Sequence, residues 1–215
     1  MDGSVDKPGF LVVIEGIDGA GKSTLAAGLG DRLEALGFDL VRTREPTEGP
    51  FGRRIRALAA AKRARVPADE EWRLFHEDRR IHVEELIGPS LASGKVVVQD
   101  RSWPSTVAYQ GERGLDRDML RAAERRIAPD PDLLLVVDLP PEEARARIES
   151  SRGGTDDFEE LESLTRLREI FLAFEGAVVL DGRRPASVVL EEATERALEG
   201  IRARGIAPLP RSGPL

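Results

Sequence analysis

The sequence has 215 residues, of which 40% are hydrophobic and 33% are charged, with a formal net charge of −7 and no cysteine. This size fits one α/β domain, while the lack of cysteine excludes disulfides and thiol catalysis and the negative charge argues against a nucleic-acid partner. No apolar run approaches the roughly 20 residues that span a bilayer, and no signal peptide stands at the start, so we expect a cytoplasmic protein with no membrane contact.

The first predicted elements are a strand, a glycine loop and a helix. The apolar run 10–14 is typical of a buried parallel strand, and the leucines after residue 24 recur at helical spacing. Between them stands G-x-x-x-x-G-K-S, which predicts a P-loop for the phosphates of a nucleotide such as ATP. Lys22 can reach the β- and γ-phosphates, and the Ser23 hydroxyl can ligate Mg²⁺. The predicted loop residues that bind the nucleotide are Gly16, Asp18, Gly19, Ala20, Gly21, Lys22, Ser23 and Thr24.

The next strand is predicted over residues 39–43. It delivers Arg44 to the sheet edge where ligands bind in open α/β folds. Residues 53–62 form a short basic helix in this prediction, and a solvated face is the favoured explanation of its charges.

A long helix is predicted over residues 68–87. Phe75 and Arg79 stand four residues apart on it, so a flat base could stack on the ring and be hydrogen-bonded by the guanidinium. A surface arginine whose stem covers apolar area explains the same pattern equally well.

The strand at 95–99 ends in Asp100 and Arg101. An acid at a strand tip facing a P-loop is a candidate Mg²⁺ partner, and an arginine there is a candidate phosphate clamp. Residues 102–111 form either a short helix or a loop, and residues 116–127 are predicted to be helical.

The remaining chain continues the alternation of strands and helices. Strands are predicted at 133–138 and 177–181, a helix begins at Pro141, and the last helix covers 188–201. The polar, glycine-rich stretch at about 150–158 is typical of a mobile lid. The sequence thus predicts one domain over 1–215, built on a five-stranded parallel sheet with helices on both faces, with disordered ends at about 1–8 and 207–215.

These motifs together resemble the thymidylate kinase family, a group of P-loop nucleoside monophosphate kinases. The resemblance covers nearly the whole chain. Besides the P-loop, it rests on Thr43-Arg44-Glu45-Pro46, Leu74-Phe75 with Asp78-Arg79, Asp100-Arg101 with Ser105-Thr106, Ala108-Tyr109-Gln110-Gly111 and Pro131-Asp132-Leu133. It implies ATP-dependent phosphorylation of dTMP to dTDP in pyrimidine deoxynucleotide synthesis, with ATP and Mg²⁺ as cofactors. It also implies a homodimer, for which the long helix that holds Val83 and Leu86 is a candidate contact, although a place in the core explains these two residues equally well.

The resemblance further implies roles for individual residues. The implied catalytic residues are Lys22, Asp18, Arg101 and Arg152, and the implied metal ligands are Ser23 and Asp100. The implied contacts of dTMP are Glu15, Arg44, Phe75, Arg79, Arg101, Ser105, Tyr109 and Gln110. Among these, Phe75 stacks on thymine, Arg79 hydrogen-bonds its edge, and Tyr109 packs against the deoxyribose.

The chain departs from the family pattern at four places. Ser102 follows Asp100-Arg101 where the family often has an aromatic residue. Thr47-Glu48 stands where two glycines often follow the arginine-glutamate-proline element. Asp157 stands in the lid where the family often has an arginine. Gly19 replaces a loop arginine, a pattern that in the family passes the catalytic arginine to the lid, which leaves Arg152 as the best candidate.

Two other functions are compatible with the sequence. A deoxynucleoside kinase shares the P-loop and an acid-arginine-serine element, and it needs a general base for the sugar hydroxyl, which Glu15 could supply. A catalytically weak nucleotide-binding relative would bind ATP without turnover.

Overall fold

The computed structural model describes residues 8–60, 66–152 and 158–209. It contains the predicted five-stranded parallel sheet, in the order β2-β3-β1-β4-β5. The strands are β1 (Phe10–Glu15), β2 (Leu40–Arg44), β3 (Val96–Asp100), β4 (Leu133–Asp138) and β5 (Val178–Asp181). Every residue of β1 and β3 is buried, which explains why both read as unbroken apolar runs rather than as alternating patterns.

The helices alternate with these strands. They are α1 (Lys22–Ala35), α2 (Pro50–Ala60), α3 (Ala68–His82), α4 (Gly88–Ala92), α5 (Trp103–Glu112), α6 (Arg117–Glu124), α7 (Pro141–Arg152), α8 (Phe158–Leu172) and α9 (Ala186–Ala203). In the described part of the chain, none of them combines the length and apolar character that a bilayer crossing requires.

The strand order places the helices on two faces of the sheet. The connection from β1 to β2 runs toward one edge, whereas the connections to β3, β4 and β5 run toward the other. Because such crossovers are right-handed, α1 lies on the opposite face from α3, α5 and α8. The packing agrees, since α1 contacts α9 while α5 contacts both α3 and α8.

The register brings the functional strand ends together. Asp100 at the end of β3 pairs with Arg44 of β2 on one side and with Ile14 of β1 on the other. The carboxyl ends of the three strands therefore meet at one edge, directly below the loop that leads into α1.

The helical prediction over 68–87 needs a correction. The α-helix ends at His82, and residues Val83–Ile87 form a π-helical turn that leads straight into α4. Pro89 explains the wider turn, because it has no N–H to donate and its ring would clash with the carbonyl of the residue four positions earlier. The Gly88 amide accordingly donates to the Val83 carbonyl.

Other predicted boundaries also shift. Residues 103–112 form a helix, which decides the open choice between helix and loop, and α6 ends at Glu124 instead of 127. Most of the predicted lid and of the predicted disordered ends lies outside the described residues, as does the side chain of Arg152. At the C-terminal side, the Leu209 amide donates to the Gly37 carbonyl at 2.7 Å, so residue 209 is bound against the end of α1.

Candidate active site

The loop between β1 and α1 folds as the glycine pattern predicts. Gly16, Gly19 and Gly21 have φ values of 139°, 81° and 98°, in the region that favours glycine. A Cβ atom at Gly16 would lie 2.5 Å from the Val137 carbonyl oxygen, so that glycine is also required for close packing. The loop ends at the N-terminus of α1, where unpaired amides and the helix dipole favour a phosphate group.

Lys22 is almost fully buried beneath this loop, with 5% of its surface exposed. Its ammonium donates to the Ile17 carbonyl oxygen at 2.7 Å and lies 3.8 Å from Asp18 Oδ1. Burial and the nearby Arg101 guanidinium lower the pKa of the Lys22 amine to about 8, against the opposing attraction of nearby carboxylates.

Ser23 and Asp100 form a pair at the floor of the site. The Ser23 hydroxyl donates to Asp100 Oδ2 at 2.5 Å. The other carboxylate oxygen, Oδ1, is buried and has no hydrogen-bond partner among the described residues. A buried oxygen of this kind suits a hard cation, which would take one or two protein oxygens here and its remaining ligands from phosphates and water.

Arg101 crosses from β3 to the P-loop. It is the one non-glycine residue in the described ranges with a left-handed backbone, at φ 68°. Its guanidinium forms an ion pair with Asp18 and donates to Ser105 Oγ at 3.2 Å and to Tyr109 Oη at 3.4 Å. It also lies 5.3 Å from the centre of the Tyr109 ring, and burial raises the pKa of that tyrosine to about 12. The structure thus joins Asp18, Arg101, Ser105 and Tyr109 in one cluster.

Glu15 is held by hydrogen bonds and is not placed as a free catalytic base would be. It is fully buried, and its Oε1 accepts from the amides of Ser102 at 2.8 Å and Ser105 at 3.1 Å. Its Oε2 accepts from the Ser105 hydroxyl at 2.7 Å. Burial raises the pKa of the Glu15 carboxyl, although Arg101 and these donors oppose that shift. Both oxygens therefore bind the first turn of α5 and fix that helix to the end of β1.

A central cleft of about 370 Å³ lies over these strand ends. The P-loop forms one side of it, and Arg44, Pro46 and Arg56 form the other. Arg56 also donates to the Pro46 carbonyl at 3.0 Å. The sequence pattern favoured a solvated face for this basic helix, so the place of Arg56 in the cleft was missed. Its spacing of twelve residues from Arg44 carries no local signal that would have revealed it.

Glu48 neutralises the arginines on that side. Its carboxylate accepts from Arg44 at 2.6 Å and from Arg56 at 2.7 Å. The hydrogen bond from Arg44, supported by the charge of Arg56, lowers the pKa of the Glu48 carboxyl. Two guanidinium groups facing the cleft are thus held together by one carboxylate of the same loop.

Arg79 lies outside the cleft and is only 1% exposed, which overturns its interpretation as a surface arginine. It bridges Glu45 on one side and Glu124 on the other, and also donates to Thr106 Oγ1 at 3.0 Å. Burial works against its charge, but the two carboxylates prevail and raise the pKa of the guanidinium. Phe75, one turn earlier on α3, is half-buried.

The Gln110 side chain is also bound by a neighbouring helix. It is 2% exposed and donates to Glu71 of α3 at 3.2 Å. Tyr109 beside it makes an edge contact with the Phe171 ring, with centroids 6.2 Å apart. The first contact fixes α5 against α3, and the second fixes α5 against α8.

A second cavity adjoins the P-loop and was not predicted from the sequence. Its volume is about 420 Å³, and Gly21, Thr24 and Leu25 line one wall. Arg147 and Arg184 lie on the facing side, where Arg147 donates to the Gly182 carbonyl at 3.1 Å. The arginines of α7 are candidate ligands for an anion because of their charge. No local sequence pattern, however, relates them to the segment after β5.

Comparisons with known proteins identify relatives. The family model described as "Thymidylate kinase" matches residues 14–193. The chain is 48% identical over 187 residues to the thymidylate kinase of Xanthomonas campestris pv. campestris strain B100, covering 86% of this chain and 81% of that protein. It is 44% identical over 197 residues to that of Xylella fastidiosa strain 9a5c, covering 91% and 93%. The fold is similar to a crystal structure of thymidylate kinase from Ehrlichia chaffeensis, with a TM-score of 0.71, 24% identity, and coverage of 87% of this chain and 98% of that one.

Proposed function

Because the chain belongs to the thymidylate kinase family and is a nucleoside monophosphate kinase that phosphorylates dTMP, we propose the role of each site residue in this reaction. The donor nucleotide, ATP, binds at the P-loop, and dTMP binds on the side of the central cleft that carries Arg44 and Arg101. The observation that carries this division is the Asp18–Arg101 ion pair, which joins the two sides at the strand ends.

The donor side consists of the loop amides and Lys22. The amides and the α1 N-terminus bind the ATP phosphates, and the Lys22 ammonium leaves the Ile17 carbonyl for the phosphate oxygens. The adjoining cavity of about 420 Å³ has an apolar wall at Leu25 and takes the adenosine part of ATP.

The metal we propose is Mg²⁺, with Ser23 and Asp100 as its protein contacts. The buried, unpartnered Oδ1 of Asp100 and the neighbouring hydroxyl fit a cation that keeps most of its ligands as phosphate and water. When bound, this ion neutralises charge on the phosphates. Asp100 stands at the end of the fully buried β3 and Ser23 in the first turn of α1, and their hydrogen bond holds the two oxygen atoms close together for it.

On the acceptor side, positive charge offsets the repulsion between two phosphate-bearing anions. Arg44, Arg56 and Arg101 face the cleft and bind the dTMP phosphate. Asp18, held by Arg101, lies near the acceptor phosphate and the 3′-hydroxyl. A phosphate oxygen is already ionised, so this reaction needs no general base, in agreement with the commitment of Glu15 to α5.

The base of dTMP lies between α3 and α5 in this proposal. Phe75 stacks on thymine, Tyr109 packs against the deoxyribose, and Gln110 completes the pocket. Among the described residues, the bonds of Arg79 to Glu45, Glu124 and Thr106 leave one N–H of Nη2, so Arg79 offers a single donor to the base edge.

The lid, the oligomer and the cellular setting complete the proposal. Arg152 closes on the ATP phosphates from α7. Leu86, 37% exposed beside half-buried Val83, contributes to a homodimer contact. The cysteine-free composition is consistent with a cytoplasmic enzyme.

An ADP-release screen tests the function. Purified protein with ATP and Mg²⁺ is given dTMP, dUMP, UMP, CMP, AMP, GMP or thymidine in turn. Turnover with dTMP well above the other acceptors is expected. Turnover with thymidine but not dTMP would contradict the proposal, as would ATP binding without turnover on any acceptor.

A further inference from the structure

A buried ion cluster connects α6 with α3. Glu124, the last residue of α6, is fully buried, and its Oε2 accepts from Arg79. Its Oε1 accepts from Trp72 Nε1 at 2.8 Å and lies 3.1 Å from His76 Nδ1. The three partners stand on successive turns of one face of α3, so a single carboxylate fixes two turns of that helix.

Arg79 extends this connection to the wall of the central cleft. Its Nε donates to Glu45 Oε2 at 2.9 Å, and its Nη2 lies 2.7 Å from the same oxygen. Glu45 and Pro46 both line the cleft beside Arg44. Direct contacts therefore lead from α6, through one guanidinium, to the loop that follows β2.

We propose that Glu124 is a positioning residue for the acceptor nucleotide. By holding Arg79, it fixes both the loop that carries Arg44 and the face of α3 that carries Phe75. The inference rests on the proposed function, which assigns dTMP to this side of the cleft. The P-loop has backbone anchors of its own, such as the Ala20 amide that donates to the Ile17 carbonyl at 3.3 Å, so binding of ATP does not depend on Glu124.

The charge at position 124 matters more than its volume. The cluster contains one guanidinium and two carboxylates, all with exposures of 4% or less. A glutamine at 124 keeps the side-chain shape and leaves Glu45 to balance Arg79, so the chain retains its fold. The guanidinium loses its second charged anchor and shifts toward Glu45, which displaces the acceptor wall.

Steady-state kinetics of Glu124→Gln test this role. Loss of a buried hydrogen bond to a charged group predicts a KM for dTMP about tenfold higher, with kcat and the KM for ATP within about twofold of wild type. Glu112→Gln is the matched control. Glu112 on α5 forms an ion pair with Arg166 on α8 and does not contact Arg79. All three constants of the control should stay within about twofold.

A less disruptive variant tests the same role if Glu124→Gln does not fold. Trp72→Phe removes one donor to Glu124 and keeps an aromatic ring, so a KM increase for dTMP of about two- to threefold is expected, again without a change for ATP. If Glu124→Gln folds with an unchanged KM for dTMP, or if it fails to fold and Trp72→Phe leaves that KM unchanged, the positioning role is wrong although the function stands. If wild type does not turn over dTMP, both proposals fail.

Discussion

The Lys22 ammonium donates to the Ile17 carbonyl oxygen at 2.7 Å, within the loop that it serves. This contact holds the only buried lysine of the described residues beneath the loop amides, at the end of β1. The amine is therefore close to the phosphate position but must exchange one oxygen partner for another when a nucleotide binds.

Replacing Lys22 by methionine should reduce kcat sharply. The variant keeps the apolar stem of the side chain and loses the charge, so a loss of about 3–4 kcal/mol of transition-state stabilisation is expected, or roughly 10²- to 10³-fold. Single-turnover measurements of dTDP formation check this. Near-normal turnover would show that the charge balance comes from the arginines alone.

ATP affinity should depend on pH through the same amine. The pKa of Lys22 is about 8 in the free protein, and phosphates favour the charged form and raise it in the complex. The affinity for ATP is then highest below pH 8, where the amine is charged. It decreases as the pH rises above 8, by about tenfold between pH 7 and pH 9. Calorimetric titration in two buffers should also show proton uptake at pH 8.5. Lys22→Arg should have a flat profile, and a flat profile in wild type would contradict the assigned role.

Two substitutions at Glu15 should separate anchoring from base catalysis. Glu15→Ala leaves the Ser102 and Ser105 amides without an acceptor and should reduce the free energy of unfolding by about 1–3 kcal/mol. Glu15→Gln can still accept from both amides and donate to the Ser105 hydroxyl, so its stability should stay close to wild type. Its dTMP turnover should also remain, whereas loss of a general base would cost about 10²- to 10⁴-fold.

Arg79 should be essential for folding stability. Arg79→Met leaves Glu45 and Glu124 buried without the guanidinium that pairs with both, which should cost about 3–5 kcal/mol in urea unfolding. Arg79→Lys keeps a charge and should lose clearly less. Equal stability of the two variants would mean that the carboxylates gain protons at little cost, and tests of base recognition at this position should therefore use lysine.

The sequence allows the sheet, the P-loop and the strand-end residues to be predicted, because their signals lie in short runs. The environment of Arg79 could not be predicted in this way. Its partner Glu124 lies 45 residues away on another helix, and no periodic pattern relates α3 to α6. The spacing of Phe75 and Arg79 indicated a shared helical face but not which neighbours cover it.

Helix α5 illustrates the same limit. The glycine at 111 weakens the local helical signal, and Pro104 suits either the first turn of a helix or a loop, which left a loop equally acceptable. The decisive contribution comes from Glu15, whose carboxylate binds the Ser102 amide from 87 residues earlier in the chain. A helix start that is stabilised by a distant strand end leaves no trace in the residues around it.

Glu48 forms ion pairs with both Arg44 and Arg56, so the phosphate of dTMP must exchange with the Glu48 carboxylate when it binds there. A phosphate that enters there displaces an anion already present instead of meeting bare positive charge. The net electrostatic gain is correspondingly small, and dTMP affinity should decline less steeply with added salt than two facing guanidinium groups alone would suggest.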